Sequence, residues 1–442
     1  MNPPTHQPAA TQLVEIGKPV YGGSFLARVE GKAVFVPLAL PGEQARIRIT
    51  QSKPGYSAAE IEEIVTAAPE RILPACPHFG VCGGCRYQHT GYENQLAFKE
   101  AILRETLERG GVSVPGSIGL LVAEPWAYRN RIRLAFDAAG NPGYRSRRSH
   151  AVVPIRECPI AAPLLVDAAQ AAADVSRQLV PPLRPTEIAL FCDSSESSLL
   201  ASVFVANAAK LRFDEFAQAL QERIPALIGA ELVTEGHEGK RGPAQPPRTV
   251  AQWGAPSLRY RAAGFDYRVD HGAFFQVNRW LVDPLVEQVT AGRQGTLAWD
   301  LFAGVGLFAR RLTAGFSRVV AVESAPSATR ALAENLKGTA GTPVRATTLD
   351  FLRRSRTEAP AEFAVPDFIV VDPPRTGLGA ETCALLAEIA APALAYVSCD
   401  PATLARDLRA LTGSGYTIQS IVLADLFPHT FHIETVVQLR RS

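Results

Sequence analysis

The sequence predicts an α/β protein with a doubly wound parallel sheet in its carboxyl-terminal part, a small β-barrel at its start and an α+β region between them. From residue 293 onward, short apolar strands alternate with apolar-periodic helices, which is typical of a doubly wound domain of about seven strands. Residues 11–67 show five short strand-like runs, separated by turns that contain glycine or proline. A chain of 442 residues has room for two or three such domains.

The amino-terminal region divides into a tail and a barrel. Residues 1–10 contain proline, glutamine and threonine but no apolar core, so we expect a disordered tail there. Five strands in fewer than 60 residues predict a barrel of the OB type over residues 11–67, a fold that often binds nucleic acid. A small barrel with no RNA-binding role is the alternative.

Composition excludes some classes of protein and leaves others open. No apolar run reaches the roughly 18 residues of a membrane span, and the start lacks a signal sequence, so we expect a cytoplasmic protein that does not enter membranes. The net charge of +2 does not exclude a basic surface patch. Seven cysteines are too few for a disulfide scaffold in a chain of this length, but three of them cluster, which indicates a metal or redox site.

Arginines dominate residues 126–148. Arg129, Arg131 and Arg133 alternate along one predicted strand, Arg145 lies on the next, and the segment holds six arginines but only one acid, Asp137. Aromatic residues lie between them and could stack on bases, so the segment predicts contacts with RNA phosphates and bases. An ordinary solvated strand face is the alternative.

Cys399 marks the end of a predicted buried strand. Asp400 and Pro401 follow as a cap and a first helical residue, so Cys399 lies at the carboxyl end of a strand and beside a helix amino terminus. Open α/β sheets bind their ligands at this edge. The helix dipole and exposed N–H groups there would lower the pKa of a thiol and favour a nucleophilic thiolate. A small buried cysteine without a role is the alternative.

A glycine-containing loop follows the first strand of the same domain. In the segment Asp300 to Gly306, Gly304 and Gly306 allow close approach of a ligand, while the third glycine of a dinucleotide-binding fingerprint is absent. Glu323 ends the next strand, where it could bind ribose hydroxyls. This pattern suits S-adenosylmethionine (SAM), which has no phosphate, better than NAD. A tight turn without a ligand is the alternative.

A stiff loop begins at Asp372, where two consecutive prolines prevent continued strand or helix. Amino-group methyltransferases carry an aromatic residue at the fourth position of such a loop, but here that residue is Arg375. RNA cytosine-C5 methyltransferases carry a second cysteine in the loop, and this loop has none. Neither reaction is therefore favoured by the loop.

Three segments resemble the RNA uracil-C5 methyltransferase family: residues 372–377, residues 398–408 and residues 425–434. The chain is most similar to the branch with an amino-terminal TRAM domain and an iron–sulfur cluster, which includes 23S rRNA 5-methyluridine enzymes. The resemblance implies a class I SAM-dependent methyltransferase domain over residues 92–124 and 269–442. It implies a TRAM barrel over 11–67 and a central iron–sulfur and RNA-binding domain over 68–91 and 125–268.

The resemblance also implies roles for single residues. Cys399 would add to C6 of the uracil ring, which activates C5 toward the methyl group, and Glu434 would then remove the C5 proton. A carboxylate beside an apolar run should have a raised pKa, as a general base requires. The expected SAM contacts are Gln276, Phe302, Gly304, Glu323 and Asp372.

Four cysteines, Cys76, Cys82, Cys85 and Cys158, fit the cluster-binding pattern of the family. Their spacing alone allows structural zinc as readily as iron and sulfur, because both sites use four thiolates. The resemblance favours a 4Fe-4S cluster.

The sequence therefore predicts a monomeric enzyme that transfers a methyl group from SAM to C5 of a uridine in RNA, with 23S rRNA as the expected substrate. Transfer RNA is the alternative substrate. An RNA amino-group methyltransferase, which would not need Cys399, and a non-catalytic RNA-binding protein are the alternative functions.

Overall fold

A computed structural model describes residues 11–207, 212–234, 236, 247–358 and 364–441. The expected disordered tail, residues 1–10, lies outside the described residues. The chain divides into two compact units, residues up to 105 with 427–432, and residues 106–426 with the carboxyl-terminal segment from 433.

The first unit contains a six-stranded sheet in the order β1-β5-β6-β4-β3-β2. Apolar side chains that alternate along each strand fill one side of it, and Phe25, Ile47 and Tyr87 are fully buried. The segment Ile16–Lys18 separates the first two strands. The strands are β1 (Gln12–Glu15), β2 (Pro19–Val20), β3 (Ser24–Val29), β4 (Lys32–Pro37), β5 (Gln44–Ser52) and β6 (Tyr56–Thr66).

A buried ion pair fastens this sheet to the segment that follows it. Glu43 is fully buried, and its two carboxylate oxygens accept hydrogen bonds from Arg71 Nε at 2.5 Å and Arg71 Nη2 at 2.7 Å. The backbone N–H groups of Leu40 and Ala68 donate to the same carboxylate. The pair therefore satisfies four donors at one buried acid.

Helix α1 (Tyr92–Arg109) matches its predicted bounds, and the boundary between the two units falls within it. In the first unit, Gln95 and Lys99 of this helix hold the segment 427–432. The side chain of Gln95 accepts from the backbone N–H of His429 at 3.0 Å, and Lys99 Nζ donates to the carbonyl of Phe427 at 3.0 Å.

The second unit contains a seven-stranded sheet in the order β10-β9-β8-β11-β12-β13-β14. Helices α2 (Pro163–Gln178) and α3 (Phe213–Arg223) pack on one face and bury the apolar side chains of its central strands. Its strands are β8 (Arg131–Phe136), β9 (Pro142–Arg145), β10 (Val152–Pro154), β11 (Glu187–Cys192), β12 (Leu199–Val205), β13 (Leu227–Thr234) and β14 (Arg248–Gly254).

The doubly wound sheet has the order β19-β18-β17-β20-β21-β23-β22-β7, with β17 to β21 parallel. The seven predicted strands are confirmed, and a short eighth, β7 (Gly119–Leu121), pairs with β22. The strands are β17 (Gly295–Leu301), β18 (Phe316–Glu323), β19 (Gly341–Arg345), β20 (Phe368–Val371), β21 (Ala393–Ser398), β22 (Tyr416–Ala424) and β23 (Glu434–Arg441).

Helices cover this sheet, and a β-hairpin precedes it in the chain. The hairpin is formed by β15 (Ser257–Ala262) and β16 (Phe265–Asp270). The helices are α4 (Val282–Thr290), α5 (Leu307–Leu312), α6 (Pro326–Leu336), α7 (Thr348–Ser355), α8 (Gly379–Ile389) and α9 (Pro401–Gly413). No helix within the described part of the chain is both long and apolar enough to cross a membrane.

Candidate active site

Five adjacent strands of the doubly wound sheet bring the sequence-predicted residues to one edge. Glu323 ends β18. Phe302 directly follows β17, Asp372 directly follows β20, and Cys399 directly follows β21. Glu434 begins β23, which runs antiparallel to β21 and therefore starts at the same edge. In strand order the edge carries Glu323, Phe302, Asp372, Cys399 and Glu434, so residues more than 130 positions apart in the chain are brought together.

The register of β21 and β23 brings the two predicted catalytic residues to the same end of the ladder. Ser398 is aligned with Thr435 as the last pair of the ladder, and one step further along the two strands come Cys399 and Glu434. Cys399 is half-buried and Glu434 is 6 % exposed. Each lies within electrostatic reach of Asp372 and of Arg375. The thiol, the two carboxyl groups and the guanidinium thus form one cluster.

The expected low pKa of Cys399 is wrong for the unliganded protein. Burial, followed by the negative charges of Glu434 and Asp372, raises the pKa of the Cys399 thiol to about 11, and Arg375 offsets this only in part. The helix amino terminus does not help the thiol, because the Asp400 side chain accepts the N–H groups of Ala402 and Thr403, each at 3.0 Å. A capped helix end offers less positive potential to a neighbouring sulfur.

The raised pKa expected for Glu434 is confirmed. Burial is the main cause, the charge of Asp372 adds to it, and Arg375 opposes it. Burial also raises the pKa of Asp372 to about 7. The Asp372 carboxyl group therefore exchanges its proton near neutral pH, and the raised pKa of Glu434 is the direction that a general base requires.

A cavity beside this cluster collects most of the predicted SAM contacts. Four of the predicted contacts line it: Gln276, Phe302, Gly304 and Asp372. The wall is completed by Phe274, Phe275 and residues between 303 and 308, which the sequence had not singled out as SAM contacts. Phe302 has a φ of +69°, a conformation that is costly for a residue with a side chain and is found at functional sites. A side chain at Gly304 would meet no atom within 4 Å, so the backbone there is open to a ligand. Aromatic walls with the carboxyl group of Asp372 suit a nucleoside with a cationic group.

Two acids tie the glycine loop to the strands. Glu323 accepts the N–H of Gly304 at 2.9 Å through one oxygen and those of Ser324 and Ala325 through the other. Asp300 is fully buried and accepts the N–H of Ala309 at 2.7 Å, while its second oxygen has no hydrogen-bond partner. Burial, reinforced by Asp372 and Glu323, raises the pKa of Asp300 to about 7.

Asp407 was missed by sequence reasoning, although it lies within a segment that carries the family resemblance. It is 1 % exposed, and its carboxyl group accepts the N–H of Leu378 at 2.7 Å, the hydroxyl of Tyr396 at 2.8 Å and Arg406 Nε at 2.9 Å. Arg406 and Thr403 also donate to carbonyls of the loop that follows Asp372. Helix α9 therefore holds that loop against the strand that leads to Cys399.

Gly377 of the same loop has no room for a side chain. Its φ is +71°, and an added Cβ would lie 2.5 Å from an Asp407 oxygen. A glycine is thus required both by the backbone conformation and by the contact.

The four predicted RNA-binding arginines lie on or next to the seven-stranded sheet. Arg131 and Arg133 lie on β8, Arg145 lies on β9, and Arg129 precedes β8 in an isolated bridge to Asn278. Glu187 of β11 accepts hydrogen bonds from Arg133 Nε at 2.6 Å and from Arg145 Nη2 at 3.2 Å. This acid lies outside residues 126–148 and was therefore not included when the charges of that segment were compared. Their role in RNA binding stays a prediction.

Three of the predicted cluster cysteines lie in one loop of the first unit. The N–H of Gly84 donates to Cys82 Sγ at 3.4 Å, and Gln88 Nε2 donates to Cys85 Sγ at 3.2 Å. Such donors stabilise thiolates. Within the described residues, however, no group of three or more His, Cys, Asp or Glu side chains is arranged to hold a metal ion. Cys158 lies in the second unit, half-buried and reduced like the others.

Comparison with known proteins identifies the family. The profile described as "tRNA (Uracil-5-)-methyltransferase" matches residues 255–442, and that of the TRAM domain matches residues 7–61. The chain is 32 % identical to the 23S rRNA (uracil(1939)-C(5))-methyltransferase RlmD of Halomonas elongata, over 95 % of this chain and 87 % of the relative. The chain belongs to the SAM-dependent RNA (uracil-C5)-methyltransferase family.

Two further proteins are similar to the chain. An uncharacterised RNA methyltransferase of Streptomyces avermitilis is 33 % identical, with 96 % of this chain and 97 % of the relative covered. The crystal structure of Pyrococcus abyssi tRNA (uracil-54, C5)-methyltransferase with S-adenosyl-L-homocysteine has a similar fold, with a TM-score of 0.75. The two sequences are 22 % identical, and the match covers 96 % of this chain and all of the other. As a uracil-C5 methyltransferase, the chain does not fit the amino-group or non-catalytic alternatives.

Proposed function

We propose that this uracil-C5 methyltransferase acts on a uridine of 23S rRNA through covalent catalysis by Cys399 and proton removal by Glu434. The observation that carries the proposal is the register of β21 and β23. Their ladder ends at Ser398 and Thr435, and Cys399 and Glu434 adjoin that last pair, within electrostatic reach of Asp372, which lines the cavity. The ribosomal substrate is supported by the names of relatives at about 32 % identity.

The residues have the chemistry that the reaction requires. In the first step, Cys399 Sγ forms a bond to C6 of uracil, and the electron pair of the C5–C6 double bond becomes available at C5. Bound SAM supplies the methyl group as a cationic sulfonium. In the last step, Glu434 accepts the proton from C5, the double bond re-forms and the thiolate leaves. Asp372 and Arg375 set the charge around both groups.

Gln276, Phe302, Gly304, Glu323 and Asp372 would hold SAM. Four of them line one cavity, and the fifth, Glu323, is bonded to Gly304 of the same wall. The target uridine must be turned out of any stacked or paired position to reach Cys399. Arg129, Arg131, Arg133 and Arg145 would then contact the flanking RNA.

Cys76, Cys82, Cys85 and Cys158 would hold a 4Fe-4S cluster. The support is the set of four thiols and the two hydrogen bonds donated to sulfur in the loop 76–88. Iron and acid-labile sulfide measured in anaerobically purified protein, and in the Cys82→Ala variant, test this part. Zinc without sulfide would contradict it.

RNA that carries 5-fluorouridine tests the covalent mechanism. Fluorine at C5 cannot leave as a proton, so the protein should remain bonded to the methylated RNA, with an adduct that maps to Cys399 by mass spectrometry. Transcripts of 23S rRNA fragments and of tRNA, compared side by side with labelled SAM, identify the substrate. The Cys399→Ala variant should bind RNA and form no adduct. Full methylation by that variant would refute the mechanism, and exclusive labelling of tRNA would refute the substrate.

A further inference from the structure

The seven-stranded sheet carries a groove on the face that α2 and α3 do not cover. Side chains alternate between the two faces along β8, β11, β12 and β13. Those on one face pack with the helices in the apolar core, and those on the opposite face line the groove. The second set combines two arginines and two phenylalanines with Ser202, Glu231 and, from the end of the hairpin, His271. The uracil-C5 reaction as described uses none of the last three.

The rim of the groove carries two arginines whose guanidinium groups lie over aromatic rings. The guanidinium carbon of Arg131 lies 4.3 Å from the ring centroid of Phe191, and that of Arg133 lies 4.3 Å from the centroid of Phe204. Guanidinium planes fixed in this way present flat cationic surfaces on which unpaired bases stack.

The floor of the groove accepts hydrogen bonds. Glu231 is 7 % exposed, and its oxygens accept from Ser202 Oγ at 2.7 Å and Thr249 Oγ1 at 3.0 Å, so that each oxygen keeps a lone pair. The side chain of His271 is 6 % exposed, and its Nδ1 lies 3.2 Å from Ser202 Oγ and 3.8 Å from a Glu231 oxygen. The Glu231 carboxylate on the floor therefore keeps the capacity to accept hydrogen bonds from a ligand.

We propose that this groove binds an unpaired guanine of the RNA, with its Watson–Crick edge on Glu231. A carboxylate pairs best with two adjacent N–H donors, and among the four bases only guanine presents them, at N1 and N2. The arginines on the rim take the base face and the adjoining phosphate. This inference rests on the proposed function only in taking RNA as the ligand.

The groove is connected to the candidate active site through one short segment. Asp270, His271 and Gly272 line the groove, whereas Phe274, Phe275 and Gln276 line the cavity expected to hold SAM. Between them, the carbonyl of Ala273 accepts from Arg131 Nη1 at 2.6 Å. A guanine in the groove would therefore fix a nucleotide a short distance from the reacting uridine and help to select the site.

Four fluorescein-labelled RNA heptamers of sequence UUUXUUU, with X as G, A, C or U, test the proposal by fluorescence anisotropy at fixed salt. The guanine heptamer should bind the intact protein about tenfold more tightly than the other three, the usual size of one two-bond base contact. Glu231→Gln replaces one acceptor by a donor and should reduce this preference to about twofold or less. Arg133→Ala, an exposed position, should weaken all four heptamers alike.

Glu222→Gln, an exposed position on α3, serves as the matched control and should leave the preference unchanged. Equal binding of the four heptamers to the native protein, or an undiminished guanine preference in Glu231→Gln, overturns the proposal. The 5-fluorouridine trap separates this from the proposed function. A guanine preference without an adduct would support the guanine-binding groove and refute the covalent mechanism. An adduct without a guanine preference would support the covalent mechanism and refute the guanine-binding groove.

Discussion

Removal of the Asp407 side chain should destabilise the catalytic unit, because two donors would be left buried and unpaired. In Asp407→Ala, the N–H of Leu378 and the hydroxyl of Tyr396 lose their acceptor, at about 1–3 kcal/mol each. Arg406 is 51 % exposed and can turn to water, so its lost ion pair adds about 0–1 kcal/mol. We expect the free energy of unfolding to fall by about 3–5 kcal/mol.

Related variants separate these contributions. Asp407→Asn keeps one oxygen for Leu378 and Tyr396 and should cost about 1–2 kcal/mol, the loss of charge-assisted bonding. Tyr396→Phe removes one of the three donors and should cost about 1 kcal/mol. Arg406→Ala should cost less than about 1 kcal/mol, since the arginine is partly solvated.

Urea titration followed by tryptophan fluorescence measures these differences. All four tryptophans lie in the second unit, so the signal reports the unit that contains Asp407. The reasoning is refuted if Asp407→Ala unfolds at the same urea concentration as the native protein, or if Arg406→Ala is the more damaging change.

Three further predictions concern charge. Cys399 in the protein without SAM should react with iodoacetamide roughly tenfold more slowly at pH 8 than a free thiol. A pKa of about 11 lowers the fraction of thiolate about a hundredfold, whereas the greater nucleophilicity of a more basic thiolate raises the rate about eightfold. Peptide mass spectrometry should show the rate rising up to about pH 11, and a plateau near pH 7 would contradict this. SAM affinity by calorimetry should increase from pH 5.5 to 8.5, since Asp372, with a pKa of about 7, must ionise to face a sulfonium cation; Asp372→Asn should flatten the dependence. Burial opposes the ionisation of Glu43, but hydrogen bonds from Arg71 and the backbone outweigh it, so its pKa is lowered from 4.5. Its stabilisation is therefore complete above pH 4.5 and is lost as the pH falls below that value, which hydrogen exchange of residues 11–67 should show; equal protection at pH 3.5 and 6 would contradict it.

Local pattern was enough to predict the strands of the doubly wound sheet and the edge at which Cys399 lies. Each strand carries its own apolar run, and the alternation of strands with helices predicts that β17 to β21 are parallel, as they are. The short β7 could not be predicted in this way, because its three residues form a strand only through pairing with β22.

Properties that depend on partners distant in the chain were missed or wrong. The excess of arginines in residues 126–148 is partly balanced by Glu187, more than forty residues further on. The pKa of Cys399 is raised by burial and then by Glu434 and Asp372, whose proximity follows from strand order and not from local sequence. Asp407 lies within a recognised motif, yet its role became visible only through Leu378 and Tyr396, which belong to other elements.

The charges at the sheet edge indicate when the nucleophile forms. Asp300, Glu323, Asp372 and Glu434 gather there, and Arg375 is the cation that lowers the pKa of both Cys399 and Glu434. In the unliganded site, formation of a thiolate would add negative charge to an already acidic cluster. Bound SAM would bring a positive sulfonium to the cavity beside Asp372, which favours both the thiolate and the ionised carboxyl groups. Cys399 should therefore become reactive only when the methyl donor is in place.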